Sequence, residues 1–358
     1  MTDLEKLCSR VTEAADCAVI TDDVNRRYFT AMKSSAGTLV VFPEKAYFII
    51  DFRYIEKAKK TVTACEVILQ DKLYEQINSL IEKHGAKTVS VNVDTCTLSE
   101  LIAYQQKLNA EVIADTKLAE IIREIRTVKS QEQIDKIIKA QRIAEKGFAH
   151  MLDFIKVGRT EKEIQLELDY YMLKNGAEAL SFDTIALSGS NTSLPHGVPS
   201  DKKVESGEFV LMDFGATYDG WHSDMTRTVC VGKPSDKMES VYETVLTAQL
   251  SALDAVKAGM SGKALDKIAR DIITEAGYGD NFGHSLGHGV GVEIHESPYA
   301  SPSREDILPE NSIVTVEPGI YLEGKFGVRI EDFVVVTENG CINMTKAVSY
   351  THLRAHET

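Results

Sequence analysis

The chain has 358 residues, a formal charge of −14, 43% hydrophobic and 26% charged residues, and no Lys/Arg cluster interleaved with aromatics. That composition is globular and long enough for two domains, and it excludes a phosphate-reading face and with it nucleic acid as a partner. No apolar run approaches the ~20 residues of a membrane-spanning helix, and "MTDLEKLCSR" lacks the basic start and apolar stretch of a secretory signal, so no membrane is expected and the cytoplasm is the expected compartment.

The first third alternates between two periods. "CAVITDD", "TLVVFP", "AYFIIDF", "EVILQ" and "TVSVNV" are short β-rich runs, separated by helical stretches such as "YIEKAKKTV" and "LYEQINSLIEKHG". This pattern predicts an α/β domain with a mixed or parallel sheet over residues 1–124. From Lys117 to Arg126 the pattern turns helical, and the domain boundary is expected near residue 125.

Ser130 and Gln133 have capping-box spacing, and Ile134, Ile137 and Ile138 follow at helical intervals. Thr160 and Glu163 repeat the box before "IQLELDYYMLKNG", with Gly176 as the stop. Further helices are expected from about 236 and 262, with strands in two separate blocks, so the second domain, 125–347, is predicted to be α+β. The six cysteines are scattered without a C-x-x-C pair, as expected of reduced thiols.

The two strand blocks echo each other. "FVLMDFGATYDG" (209–220) lies over "IVTVEPGIYLEG" (313–324) at an offset of 104, with Asp213 on Glu317 and Gly215 on Gly319. Downstream, Asp224 corresponds to Glu331 after a three-residue insertion. Each copy reads as an apolar strand ending in an acid, a glycine turn and a returning strand with a second acid. One such hairpin is ordinary, because acids at strand ends usually face solvent. Two with acids in matching places point instead to a pseudo-twofold site on which all four carboxylates converge.

Four convergent carboxylates repel one another unless a cation sits among them. Their number suits two divalent ions rather than one, and an added imidazole favours Mn²⁺, Co²⁺, Fe²⁺ or Zn²⁺. "FGHSLGHGVGVEIHESP" supplies His284, His288 and His295, but its glycines argue against a helix, and neither H-E-x-x-H nor a dinucleotide loop is present. His196 lies in "SGSNTSLPHGVP", a loop of turn formers. Histidines flanking the acids and not spent on metal can donate protons or stabilise an oxyanion.

"MDFGATYDGWHSDMTRT", "GHSLGHGVGVEIHE", "VEPGIY" and "GVRIED" together resemble the pita-bread metallopeptidases, the group of methionine aminopeptidase, aminopeptidase P and prolidase. "SFDTIALSGSNTSLPHGVPSD" narrows the likeness to the Xaa-Pro-cleaving branch, and "NRRYFTAMKSSAGTLVVF" with "DFRY" resembles the creatinase-type N-terminal domain of that branch. The resemblance covers about residues 10 to 347. It implies Asp213, Asp224, His288, Glu317 and Glu331 as ligands of two divalent ions, most readily Mn²⁺, with Asp224 and Glu331 bridging them. His196 and His295 match the two substrate-side histidines, and Arg329 the arginine of "RIED", behind the ligands or near the substrate.

The implied reaction is hydrolysis of an Xaa-Pro bond in dipeptides or at peptide N-termini. A metal-bridging hydroxide attacks the carbonyl, and Glu317 accepts the proton. A homodimer is implied as well, with the N-terminal domain limiting substrate length. Two other readings follow from the same likeness: a catalytically silent peptide-binding module, and a metal-free creatinase-type amidinohydrolase. The final residues, "VSYTHLRAHET" (348–358), break the family pattern and read as a non-native tail, so His352 and His356 carry no expected role.

Overall fold

The computed structural model describes residues 1–347; the tail expected from 348 lies outside the described residues. The chain divides into two compact units, Met1–Arg126 and Thr127–Thr358.

The first unit is built on one six-stranded sheet. Its strands are β1 (Cys17–Ile20), β2 (Thr38–Val41), β3 (Ala46–Ile50), β4 (Glu66–Leu69), β5 (Thr88–Val91) and β6 (Glu111–Ile113), in the order β4-β3-β2-β1-β5-β6. Pairing is antiparallel through β1, β2 and β3 and parallel at β3–β4, β1–β5 and β5–β6, so the sheet is mixed. Leu39, Phe48 and Ile50 pack on one face with Leu118 and Ile122, and Val40, Tyr47 and Ile49 pack on the other with Ile77 and Leu80. Such two-faced burial explains the continuous apolar runs of β2 and β3. The run "CAVITDD" stops being a strand at Ile20 because Asp22 caps the next helix, Asp23–Thr30, by accepting a hydrogen bond from the Asn25 N–H.

In the second unit both capping boxes form. Ser130 and Gln133 start the helix Gln131–Phe154, and Thr160 and Glu163 start Glu161–Lys174. Helices Asp236–Ala255 and Gly262–Glu275 complete the set expected from the sequence. Val241, Val245, Leu265 and Ala269 of the latter pair pack with Val314, Val316 and Val334. The strands form small antiparallel sheets of two or three members, which is an α+β arrangement.

The sequence echo becomes two hairpins. In the first, Glu208–Phe214 pairs with Met225–Val231, and Asp213 faces Thr226. In the second, Ile313–Val316 pairs with Asp332–Thr337, and Thr315 faces Phe333. The echo places Glu317, not Thr315, opposite Phe333, so the second hairpin is slipped by two residues relative to the first. A slip of two keeps every side chain on its own face, which leaves the acids pointing the same way.

Candidate metal centre

Each acid is delivered by a strand end. Asp213 is the penultimate residue of its strand, and Asp224 immediately precedes the returning strand. Gly215 makes their approach possible: a Cβ there would lie 1.9 Å from the Ser223 carbonyl oxygen, beside Asp224. Glu317 follows Ile313–Val316 and Glu331 precedes Asp332–Thr337, mirroring the first pair. The Glu331 N–H donates to the Thr226 carbonyl at 3.2 Å, tying one hairpin to the other.

His288 sits in the short strand Gly287–Gly289. A Cβ on Gly287 would lie 2.0 Å from the Thr315 carbonyl oxygen, so only glycine lets this strand lie against Ile313–Val316. The His288 N–H donates to Thr315 Oγ1 at 3.0 Å, and the same hydroxyl donates to Glu317 Oε1 at 3.1 Å. The imidazole Nδ1–H donates to the Gly289 carbonyl, which leaves Nε2 facing Glu317 Oε1 at 3.3 Å and Asp224 Oδ2 at 3.6 Å.

Ligand atoms of Asp224, His288 and Glu331 all lie within 4.8 Å of one another. Asp213 Oδ1 and Glu331 Oε1 are buried, and neither has a hydrogen-bond partner among the described residues. Burial raises Asp224 well above the usual carboxylate range, with the charge of Asp213 adding to it. Burial and then Asp224 do the same to Glu331, and Asp213 is raised by burial in spite of Arg329. Burial works against ionisation of Glu317 and His288 too. There the hydrogen bond and charge between them win, holding Glu317 at about 2 and lifting His288 to about 9. A nest of buried oxygens short of positive charge, two of them without a hydrogen-bond partner among the described residues, fits a divalent cation.

Behind the acids lies Arg329, 2% exposed. Its guanidinium donates to Asp213 Oδ2 at 2.5 Å, Tyr321 Oη at 2.8 Å, Thr226 Oγ1 at 3.0 Å and the Pro195 carbonyl at 3.3 Å. His284 is absorbed into the same network: its Nδ1–H donates to the Ser285 carbonyl, and its Nε2 accepts from Tyr321 Oη at 2.9 Å.

All eight residues marked from the sequence, namely Asp213, Asp224, His288, Glu317, Glu331, His196, His295 and Arg329, line one cavity of about 830 Å³. The acids form its floor. His196 and His295 are exposed on its walls, and the His295 ring stands 4.3 Å from that of His288. Phe182, Ile185, Val198, Pro199 and Tyr299 give the remaining wall an apolar character.

The profile of metallopeptidase family M24 matches residues 135–338, and that of the creatinase/prolidase N-terminal domain matches residues 4–128. The chain belongs to metallopeptidase family M24. Among its relatives, the Xaa-Pro dipeptidase of Pyrococcus furiosus is 40% identical over 346 residues, spanning 96% of this chain and 97% of the relative. The solved Xaa-Pro dipeptidase of Bacillus anthracis superposes with a TM-score of 0.93 at 40% identity, covering 97% of this chain and 98% of that one. The X-Pro aminopeptidase structure of Thermotoga maritima gives 0.88 at 39% identity, with 93% and 96% covered.

Several residues at or near this site carry little or no signal in the sequence. Thr226 donates to Glu331 Oε2 and Thr315 to Glu317 Oε1, while Tyr321 accepts from Arg329, and only their even spacing from Asp224 and Glu317 gives a hint. Lys129 gives none: its Nζ is buried against Glu296 Oε1 at 2.6 Å, next to His295. Removing one partner of a buried ion pair strands the other charge, so Lys129→Met is expected to cost about 3–5 kcal/mol of stability, read by urea unfolding. An unchanged denaturation midpoint would refute this.

Proposed function

We propose that the chain is a divalent-metal-dependent peptidase that cleaves the bond between a residue and a following proline, in dipeptides or at peptide N-termini. One observation carries this reading: four carboxylates and an imidazole, side chains of metal-ligating type, line a single cavity together with two exposed histidines and an apolar surface. The Xaa-Pro activities named for the relatives in Pyrococcus, Bacillus and Thermotoga support the choice of substrate.

Asp213, Asp224, His288, Glu317 and Glu331 would hold two divalent ions. Oxygen donors with one imidazole suit Mn²⁺ best, with Co²⁺, Fe²⁺ and Zn²⁺ as substitutes. Bound ions of this kind acidify water and polarise a carbonyl. The chain's own residues do the rest. Glu317, whose Oε1 faces His288 Nε2 at 3.3 Å, would receive the proton of the attacking water. His295 and His196 meet the substrate from the walls, one donating to the oxyanion and the other to the departing proline nitrogen. Arg329 orients Asp213 through its hydrogen bond and opposes, without overcoming, the effect of burial on that acid. Proline has no N–H to pair with an extended binding strand, so an apolar wall against its ring is a fitting receptor.

The test is an assay on Ala-Pro and on a longer Xaa-Pro-Xaa peptide, with Mn²⁺ and after chelation. Cleavage of at least one peptide, abolished by chelator and restored by metal, is expected. Failure to cleave either with metal restored would sink the reading, and chelator-insensitive turnover would point to metal-free chemistry. We further propose a cytoplasmic homodimer, for which sedimentation at a mass near 39.6 kDa, that of one chain, is the contrary result.

A further inference from the structure

Glu161 is the first residue of the helix Glu161–Lys174 and is 0% exposed. Its carboxylate lies at the neck of the loop that carries His196. From one end of that loop, Oε1 accepts the Ser188 N–H at 2.7 Å, Ser188 Oγ at 3.2 Å and Asn191 Nδ2 at 3.0 Å. From the other end, Oε2 accepts the Ser200 N–H at 3.0 Å and Ser200 Oγ at 2.6 Å, with Asn191 Nδ2 at 3.2 Å. Backbone bonds from the Glu161 and Lys162 N–H groups to the Lys202 and Ser200 carbonyls fix the same end to the helix. The helix N-terminus itself favours a carboxylate at this position.

One buried acid therefore closes a loop of residues 188–200 into an Ω-like shape, with both ends held on the same carboxylate. The far side of the loop is pinned as well. Thr192 Oγ1 accepts the Gly327 N–H at 2.8 Å, and the Pro195 carbonyl accepts from Arg329 at 3.3 Å. Between the neck and these pins stands His196, exposed to the cavity. Its position on the cavity wall is set by the loop, and the loop by Glu161.

We infer that Glu161 is a positioning residue for His196: it cinches the neck of the 188–200 loop and so fixes where the imidazole meets the substrate. The inference rests on the substrate-side role proposed for His196. Glu161→Gln is the sharpest probe, because an amide keeps the volume and presents one N–H₂ group to donors that need an acceptor.

The experiment combines a mutant cycle with amide hydrogen exchange on the full-length, Mn²⁺-loaded protein. In the wild-type background Glu161→Gln should lower kcat/KM on an Xaa-Pro peptide by about 10- to 100-fold, the scale of a small misplacement of a substrate-contacting group. In a His196→Ala background the same change should cost less than about threefold, because the group being positioned is gone. Exchange should quicken at the amides of 188–200. Equal losses in both backgrounds, or unchanged loop exchange, would overturn the inference. Were Glu161→Gln not to fold, Ser200→Ala deletes one donor without touching the acid, and about a threefold loss that disappears in the His196→Ala background is expected; its persistence there would be equally contrary. A silent His196→Ala single variant strikes the role given to that histidine and removes this one with it, while a loss there with an additive cycle strikes Glu161 alone.

Discussion

Asp224→Asn is expected to make the metal-free protein more stable while abolishing its peptidase activity. Burial, with the charge of Asp213, raises Asp224 well above the normal carboxylate range. An acid whose folded-state pKa is raised supports folding below its unfolded value of about 4 and loses that support as the pH climbs through the raised value. At neutral pH without a cation, Asp224 therefore works against the fold, and the neutral amide does not. The metal-free variant should melt at or above the wild-type temperature at pH 7 to 8, with the difference closing towards pH 4 in calorimetric scans. Metal reverses the ranking. A ligand at 100 times its Kd stabilises by about 2.7 kcal/mol, which for a unit of this size is on the order of 5–10 °C. Wild type should gain that much with Mn²⁺ and the variant far less, with activity down by at least ~10³-fold for want of activated water. A variant less stable than wild type when metal-free, and still fully stabilised by Mn²⁺, would contradict the charge balance drawn for the site.

How much of this was legible in the sequence depends on the distance over which each signal acts. The helix starts at Ser130 and Thr160 were legible because a capping box is complete within four residues. Asp213, Glu317, Asp224 and Glu331 were legible because an acid interrupting an apolar strand is costly, and the 104-residue echo repeated the anomaly. The two-residue slip between the hairpins was not, since register follows from turn geometry and pairing across the sheet. Edge strand β6 is three residues long and half-exposed, too short to show a period. Glu161 was invisible for another reason: its partners lie 27 to 39 residues away, and its sequence context is that of any acid in a first helical turn. His284 shared the spacing of His288 but is consumed by Tyr321, a contact that only the folded strands create.

Arg329→Met is expected to act in the opposite sense to Asp224→Asn, destabilising the metal-free protein and enlarging the gain from metal. Arg329 is a permanent positive charge built into the site, and its partners Asp213, Tyr321, Thr226 and the Pro195 carbonyl are left without it. Breaking a buried pair from one side costs about 3–5 kcal/mol, a fall in melting temperature on the order of 10 °C here. Divalent metal then replaces part of the lost counter-charge, so the Mn²⁺-induced shift should exceed that of wild type. Activity is not restored in step. Asp213 loses its orientation and the His196 loop loses one of its pins, and misplacements of that kind cost about 100-fold in kcat/KM. An unchanged melting temperature without metal would sink this account of Arg329. The contrast between the two variants is the stronger test: a generic packing defect lowers stability in both, whereas a site short of positive charge is stabilised by losing an acid and destabilised by losing the arginine.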